Sequence, residues 1–460
     1  MPRLTKLSLA MLLAASASAQ VAAQSTNPPA DRPLPAHQAE IDAIVKEISP
    51  ARIKAYVEKL VSFGTRHTMS DAVSETRGIG AARRWIKSEM ERCGAGKLEV
   101  RFDGHLHPVD NRIDKPTEIV NVVATLPGTQ AASKDRYYVV SGHYDSRVTD
   151  VMNATADAPG ANDDASGTAA VIEMACVMSR HRFDASLVFM TVAAEEQGLY
   201  GAGDFAKKAK AAKMNIAGML NNDIIGSSHD EHGKLDNGHV RLFAEGVPPL
   251  KEAPSPELRT LLVTGGENDS ITRQLARHVK ETGERYVPNF KVDIIYRRDR
   301  YLRGGDHSPF LDAGYAAVRF TEPNEDFNHQ HQDLRTEKGV KIGDLAEFVD
   351  PEYIAQVTRV NAASLATLAL APAAPQEVKV KTAALDNGTD LVWKANAEPD
   401  LAGYRVVWRE TTSPLWQGAR HVGNVTTARI DMSKDNVLYG VQAVDKDGNV
   451  SPATYPLPAR

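Results

Sequence analysis

The chain has 460 residues, 42% of them hydrophobic and 25% charged, an ordinary globular composition that excludes a disordered or fibrous protein and allows a sizeable core plus a second domain. A formal charge of −5 offers no general attraction for nucleic acid or an anionic membrane, so nucleic acid is excluded as a partner. Only Cys93 and Cys176 are present; both continue apolar helical stripes and read as two buried thiols, with a single bridge as the alternative.

In chain order, residues 1–23 read as a secretory signal: Arg3 and Lys6 precede the apolar Leu7–Ala15 run, and Ala17, Ala19 and Ala23 offer cleavage points. A secreted or periplasmic protein is therefore expected. No later stretch reaches the roughly 20 apolar residues a membrane span needs, so no transmembrane anchor is expected after cleavage. Residues 24–36, rich in Pro, Ala and Gln, form a lead-in. Helical periodicity follows at about 38–62 and 74–93. From residue 118 onward, β-rich runs at 118–126, 136–142, 187–193, 216–222, 291–296 and 315–320 alternate with helical stretches at about 165–181, 199–212, 267–283 and 351–370. That alternation predicts an α/β fold, a central mostly parallel mixed sheet flanked by helices. Sites in such sheets lie where loops leave the carboxyl ends of strands. The Pro/Ala stretch "LAPAAPQ" at 370–376 marks a linker. Beyond it, short strand-like runs separated by Asp386-Asn387-Gly388 and Asp447-Gly448-Asn449 predict a small all-β sandwich.

Chemistry gathers at the ends of the predicted strands. "VVSGHYDS" places His143 and Asp145 there, "PGANDDASG" places Asp163 and Asp164 before a helix, and "AAEEQG" ends a strand in Glu195 and Glu196. "GMLNNDIIG" ends in Asp223, and "NEDFNHQHQDL" carries His329, His331 and Asp333. Each stretch alone has an ordinary explanation: a surface histidine, a solvated acid pair, an aspartate starting a helix. Together they put several acids and histidines at the ends of apolar strands, where charge is costly to leave unpaired. A bound cation would account for the set. His, Asp and Glu without thiolate suit zinc, with cobalt or manganese as alternatives. Charge arithmetic favours two ions: +4 is neutralised by three carboxylates and one bridging hydroxide, with two imidazoles completing the shells.

"GHYDS", "PGANDDASG", "AAEEQGLYGA", "NND" and "HQHQD" resemble, in order and spacing, the co-catalytic di-zinc aminopeptidases related to glutamate carboxypeptidase II and the secreted bacterial leucyl aminopeptidases. The resemblance spans about residues 115–370. It implies two Zn2+ per chain, His143 and Asp223 holding one, Glu196 and His329 the other, and Asp163 bridging both. His329 is preferred over His331 because it stands four residues before Asp333. Glu195 would be the general base. Asp145, two residues from His143, would accept the spare imidazole N–H. Asp164 would be structural, joined to Asp163 by a peptide that is characteristically cis in this family. Asn162 departs from the aspartate of many relatives. The segment "RRDRYLRGGDHSPF" offers Tyr301, Arg303, Asp306 and His307 as candidates for substrate binding or stabilisation of the intermediate.

The implied activity is an exported aminopeptidase acting on peptides with a free N-terminus. Alternatives are a dipeptidase or carboxypeptidase, with the 297–303 arginines taking a substrate carboxylate, a single-zinc glutaminyl cyclase, and an inactive binding protein. The expected organisation is a signal peptide at 1–23, a zinc peptidase domain at 24–369, a linker at 370–375 and a sandwich at 376–460. "DLAGYRVVWRE" and "YGVQAVDKDGNVS" within the sandwich resemble fibronectin type III domains. Because the expected ligands all precede the linker, the peptidase domain is predicted to work without the sandwich.

Overall fold

A computed structural model describes residues 37–249 and 254–459. The predicted signal peptide and lead-in fall outside the described residues.

Ten helices are described: α1 (Ala39–Glu47), α2 (Pro50–Val61), α3 (Gly78–Gly94), α4 (Ala165–Met178), α5 (Glu195–Gly198), α6 (Tyr200–Ala211), α7 (Pro256–Val263), α8 (Ile271–Tyr286), α9 (His307–Ala313) and α10 (Pro351–Leu370). The single helix expected over 38–62 is two. Pro50 lacks an N–H and disfavours helix in the residue before it, and Ser49 Oγ accepts Arg52 N at 3.4 Å to start α2 afresh.

The main sheet contains β1 (Glu99–His107), β2 (Thr117–Leu126), β3 (Arg136–His143), β4 (Ser186–Val192), β5 (Asn215–Asn222), β6 (His239–Ala244), β7 (Lys291–Ile295) and β8 (Ala317–Thr321). Their order is β1-β2-β4-β3-β5-β8-β6-β7, and the central run β4-β3-β5-β8 is parallel throughout. Strand β4 shows why its sequence is apolar without alternation: Leu187 and Phe189 face one helical layer while Val188, Met190 and Val192 face the other. Both faces are covered, as a parallel core requires. On one side lies α4, every residue of which is buried, under α2, α3 and α10; α6 and α9 cover the other. Cys93 of α3 and Cys176 of α4 form a disulfide, in place of the two thiols expected.

The site is positioned by connectivity. From β3 the chain crosses to β4 on one side, then back over β3 to β5 on the other. Loops leaving these neighbouring strands diverge around a crevice, the place where doubly wound sheets bind ligands.

After a small hairpin, β9 (Arg335–Glu337) and β10 (Val340–Ile342), the C-terminal strands follow: β11 (Gln376–Lys381), β12 (Thr389–Lys394), β13 (Leu401–Glu410), β14 (Gly418–Gly423), β15 (Thr427–Ile430), β16 (Val437–Asp445) and β17 (Leu457–Ala459). They form sheets ordered β15-β12-β11-β17 and β14-β13-β16, closed over Trp393, Tyr404, Val406, Trp408 and Val441. This unit is joined to the rest by buried charge. Arg136 Nη1 lies 3.2 Å from Glu398 Oε1, and Asp269 lies between Arg277, at 3.1 Å, and Arg409, at 2.7 Å. Breaking a buried pair of this kind leaves an uncompensated charge behind.

Candidate metal centre

Five side chains converge at the carboxyl ends of β3, β4, β5 and β8. His143 ends β3, Asp163 precedes α4, Glu196 lies just past β4, Asp223 just past β5, and His331 in the loop after β8. They form two groups whose ligand atoms lie within 4.8 Å of one another: His143, Asp163 and Asp223, and Asp163, Glu196 and His331. Asp163 belongs to both. Its Oδ1 is 3.0 Å from His143 Nε2, and its Oδ2 is 2.8 Å from His331 Nε2, which is also 3.1 Å from Glu196 Oε1.

The donor set fits a pair of divalent cations. His143 Nε2 and Glu196 Oε1 are buried atoms without a hydrogen-bond partner, although each lies within a group of candidate ligands. Buried polar atoms are normally satisfied, and two orphans facing the same acids are what cation ligands look like. Burial opposes charge on His143, yet Asp145, Asp163 and Asp223 hold its pKa well above the usual histidine range. A cation among these carboxylates would take over the role that the extra proton plays.

The expectation for His329 is corrected. Its Nδ1 lies 3.2 Å from Asp326, its ring stacks on Phe348 with centroids 3.7 Å apart, and it belongs to neither group. A tight turn produces the difference: Asp326 O accepts the N–H groups of His329 and Gln330, and His331 then adopts a left-handed φ of 54°. A non-glycine residue held there is uncommon and is retained where the surroundings over-determine it.

Supporting contacts tie the loops together. Asp145 lies 3.5 Å from His143 Nδ1 and accepts the backbone N–H groups of Glu195, at 3.3 Å, and Glu196, at 3.1 Å. Asp164 caps α4 by accepting Gly167 N at 2.9 Å, and it also accepts His143 N at 2.9 Å. The Asp163-Asp164 peptide is cis. Glu195 lines a cavity of about 300 Å³ together with Asp163, Glu196, Asp223 and His331. Burial, reinforced by Asp223, Glu196 and Asp306, raises its pKa well above the ordinary glutamate value.

Of the four candidates in the 297–310 segment, Arg303 lines this cavity. Tyr301 does not: it is 83% exposed, with the Arg297 guanidinium 4.1 Å from its ring centroid. Asp306 and His307 are fully buried beside the site, not open to it, and His307 Nε2 is 2.8 Å from Arg298 O.

Several residues at the site escaped the sequence reading. Asp344 accepts Asn162 N at 2.7 Å and Asp163 N at 2.8 Å, and Glu322 takes both Asn162 Nδ2 contacts at 3.0 Å, which gives Asn162 a hydrogen-bonding role of its own. Arg319 Nη2 lies 2.9 Å from Asp223, and Gln330 Nε2 donates to Asp163 at 3.2 Å. Arg147 Nε donates to Glu196 at 2.9 Å. Gln330 lies inside "HQHQD", between the two candidate histidines; the others sit in no distinctive run, Arg147, four residues after His143, being the nearest to a signal.

Comparison with known proteins bears on this geometry. A model of peptidase family M28 matches residues 121–339, a span holding all five converging side chains and Glu195. A probable zinc metalloprotease of Leptosphaeria maculans is 50% identical over 427 residues, which cover 92% of this chain and 98% of that protein. The chain belongs to peptidase family M28. A second probable zinc metalloprotease, from Pyricularia oryzae, is 51% identical over 91% of this chain and 85% of its own. Among solved structures, Legionella pneumophila LapA aminopeptidase superposes with a TM-score of 0.50 at 18% identity, over 74% of this chain and 77% of that one. The aminopeptidase from Aneurinibacillus sp. strain AM-1 does so at 0.51 and 14% identity, over 72% and 96%. At such identities these two neighbours establish the fold alone.

Proposed function

We propose that this chain is an exported zinc-dependent aminopeptidase that hydrolyses the N-terminal peptide bond of peptides. The observation that carries the proposal is Asp163 shared between two groups of buried ligands, with Glu195 beside them on one cavity wall. His143, Asp163 and Asp223 would hold one zinc ion, and Asp163, Glu196 and His331 a second. When bound, such a pair supplies Lewis acidity toward the scissile carbonyl and the attacking water.

The protein's own part is proton handling and orientation. A Glu195 carboxylate oxygen takes the proton of the attacking water and returns it to the leaving amine nitrogen. Its raised pKa makes it the stronger base, and its backbone N–H, held by Asp145, fixes where the side chain starts. Arg319 and Asp145 orient Asp223 and His143 from outside the ligand groups. A glutaminyl cyclase needs one zinc, and the second group around Glu196 and His331 speaks for two. The names of the relatives agree with a zinc peptidase. Among the described residues no helix is long and apolar enough to cross a membrane; export is proposed from the signal-like residues 1–23.

The test is metal analysis of purified protein with hydrolysis of free-amino and N-acetylated leucyl peptides. Zinc with cleavage of the free-amino peptide alone is expected. Equal cleavage of both, or of neither by zinc-loaded protein, would count against aminopeptidase action.

A further inference from the structure

The wall above the ligand groups is rich in guanidinium. Arg112, Arg147, Arg300 and Arg303 line the 300 Å³ cavity, and its acids are Asp163, Glu195, Glu196 and Asp223, the carboxylates already assigned to cations and to proton transfer. An adjoining cavity of about 430 Å³ shares Arg147, Arg303, Gln330 and His331, opens past the 57% exposed Phe327, and has no acidic residue in its lining.

Internal pairing does not use this charge up. Arg300 Nη1 and Arg303 Nη1 donate to Oε2 of Glu325, at 2.8 and 3.1 Å, while Arg241 Nη2 donates to Oε1 at 3.0 Å. One buried carboxylate thus faces three guanidinium groups, of which Arg300 has a second partner, its Nε donating to Asp299 Oδ1 at 3.1 Å. Arg303 is the most exposed of them, at 36% against 11% and 23%, and its remaining donors meet no protein acceptor among the described residues. Arg112 is held on the same cavity from another direction. Asp110 accepts Arg112 N at 2.8 Å and Ile113 N at 2.9 Å and is itself braced by Tyr200 Oη at 2.5 Å, while Arg112 Nη1 donates to Glu196 O at 2.9 Å.

We propose that Arg303 and Arg112 form a carboxylate subsite, so that the preferred substrates are short peptides carrying a carboxylate close to the scissile bond. Resting on the zinc exopeptidase assignment above, this names the substrate class. Arginine suits the role because its planar fork pairs with both oxygens of a carboxylate, a geometry that lysine does not reproduce. The carboxylate could be the C-terminus of a dipeptide or an acidic side chain following the scissile bond. Replacing Arg303 leaves Glu325 paired with Arg241 and Arg300, so the fold is not at stake.

The experiment compares Leu-Gly with Leu-Gly-amide, and Leu-Glu-amide with Leu-Gln-amide, on zinc-loaded wild-type, Arg303→Ala, Arg303→Lys and Arg112→Ala proteins. Charge-assisted pairing predicts a wild-type preference for at least one carboxylate-bearing partner of about tenfold or more, expressed in KM. Arg303→Ala should bring that ratio near one, with Arg303→Lys between. A preference confined to Leu-Gly assigns the subsite to the C-terminus, one confined to Leu-Glu-amide assigns it to a side chain, and either supports the subsite. Equal handling of both pairs, or a preference that survives Arg303→Ala and Arg112→Ala together, overturns it. Calorimetric titration with D-Leu-Gly and D-Leu-Gly-amide, which need not be cleaved, reads the subsite independently. Arg303-dependent binding of the acid alone, with no hydrolysis of any peptide, would keep the subsite and overturn the peptidase reading.

Discussion

Glu195 and Glu196 are adjacent, and both have backbone N–H groups accepted by Asp145, yet their carboxylates have different neighbours. Both line the cavity, and Glu196 also lies against His331 and Arg147. On the proposed function, Glu196 would hold a cation and Glu195 would move a proton. Glu195→Gln keeps the size but loses the acceptor, and is expected to retain bound zinc while turnover falls by about the 10²–10⁴-fold typical of a lost general base. Steady-state kinetics with metal analysis on one sample checks this; full activity would remove Glu195 from the mechanism. At this scale the sequence was informative where residue type and strand end coincided, as for His143, Asp163, Glu196 and Asp223. It misled at "HQHQD", where spacing to Asp333 favoured His329, because the decision rests on a left-handed turn that no periodicity announces.

Between elements, the ligand loops are held by acids that the motifs did not single out. Asp344, from the loop between β10 and α10, binds the backbone N–H groups of both Asn162 and Asp163. Asp344→Ala would leave two buried donors unsatisfied, at about 1–3 kcal/mol each, and should lower the melting temperature and weaken metal binding together. Unchanged melting would mean that solvent replaces the carboxylate. The Cys93–Cys176 bridge closes a sequence separation of 83 residues between α3 and α4, and losing such a link costs about 2–5 kcal/mol. Thermal unfolding with and without reductant should show that difference; a melting temperature indifferent to reductant would argue that the bridge adds nothing. The longer helices and most buried strands were legible because their apolar periods are strong, whereas the short α7, α9 and β6 offer too few residues to establish a period. Strand β1 was not, since it lies at the sheet edge with mostly outward, polar residues and so lacks a hydrophobic run.

At the scale of the whole molecule, buried ion pairs cross the seam that the 370–376 linker marks. Removing the sandwich strips Glu398 from Arg136 and Arg409 from Asp269, so truncation after Leu370 is expected to lower stability and activity rather than leave turnover intact. Undiminished melting and dipeptide turnover in the truncated protein would restore the detachable tail. Asp184 sits at the same seam. Burial, with Asp400 and Asp445 nearby, raises its pKa to about 6. A carboxyl whose folded pKa exceeds its unfolded value of about 3.9 destabilises the fold as pH rises between the two, and fully above the higher one. Asp184→Asn should therefore raise the melting temperature above pH 6, with a gain that shrinks below it and vanishes under pH 3.9; a gain independent of pH would assign the effect to packing. On the proposed function, loops at the carboxyl ends of the strands assemble two cation sites around Asp163. Equilibrium dialysis of zinc against wild-type, His331→Ala and His329→Ala proteins tests it most directly. Two ions are expected on the wild type and on His329→Ala, with one site weakened in His331→Ala; a single ion on the wild type, or loss in His329→Ala with both ions kept in His331→Ala, would contradict it.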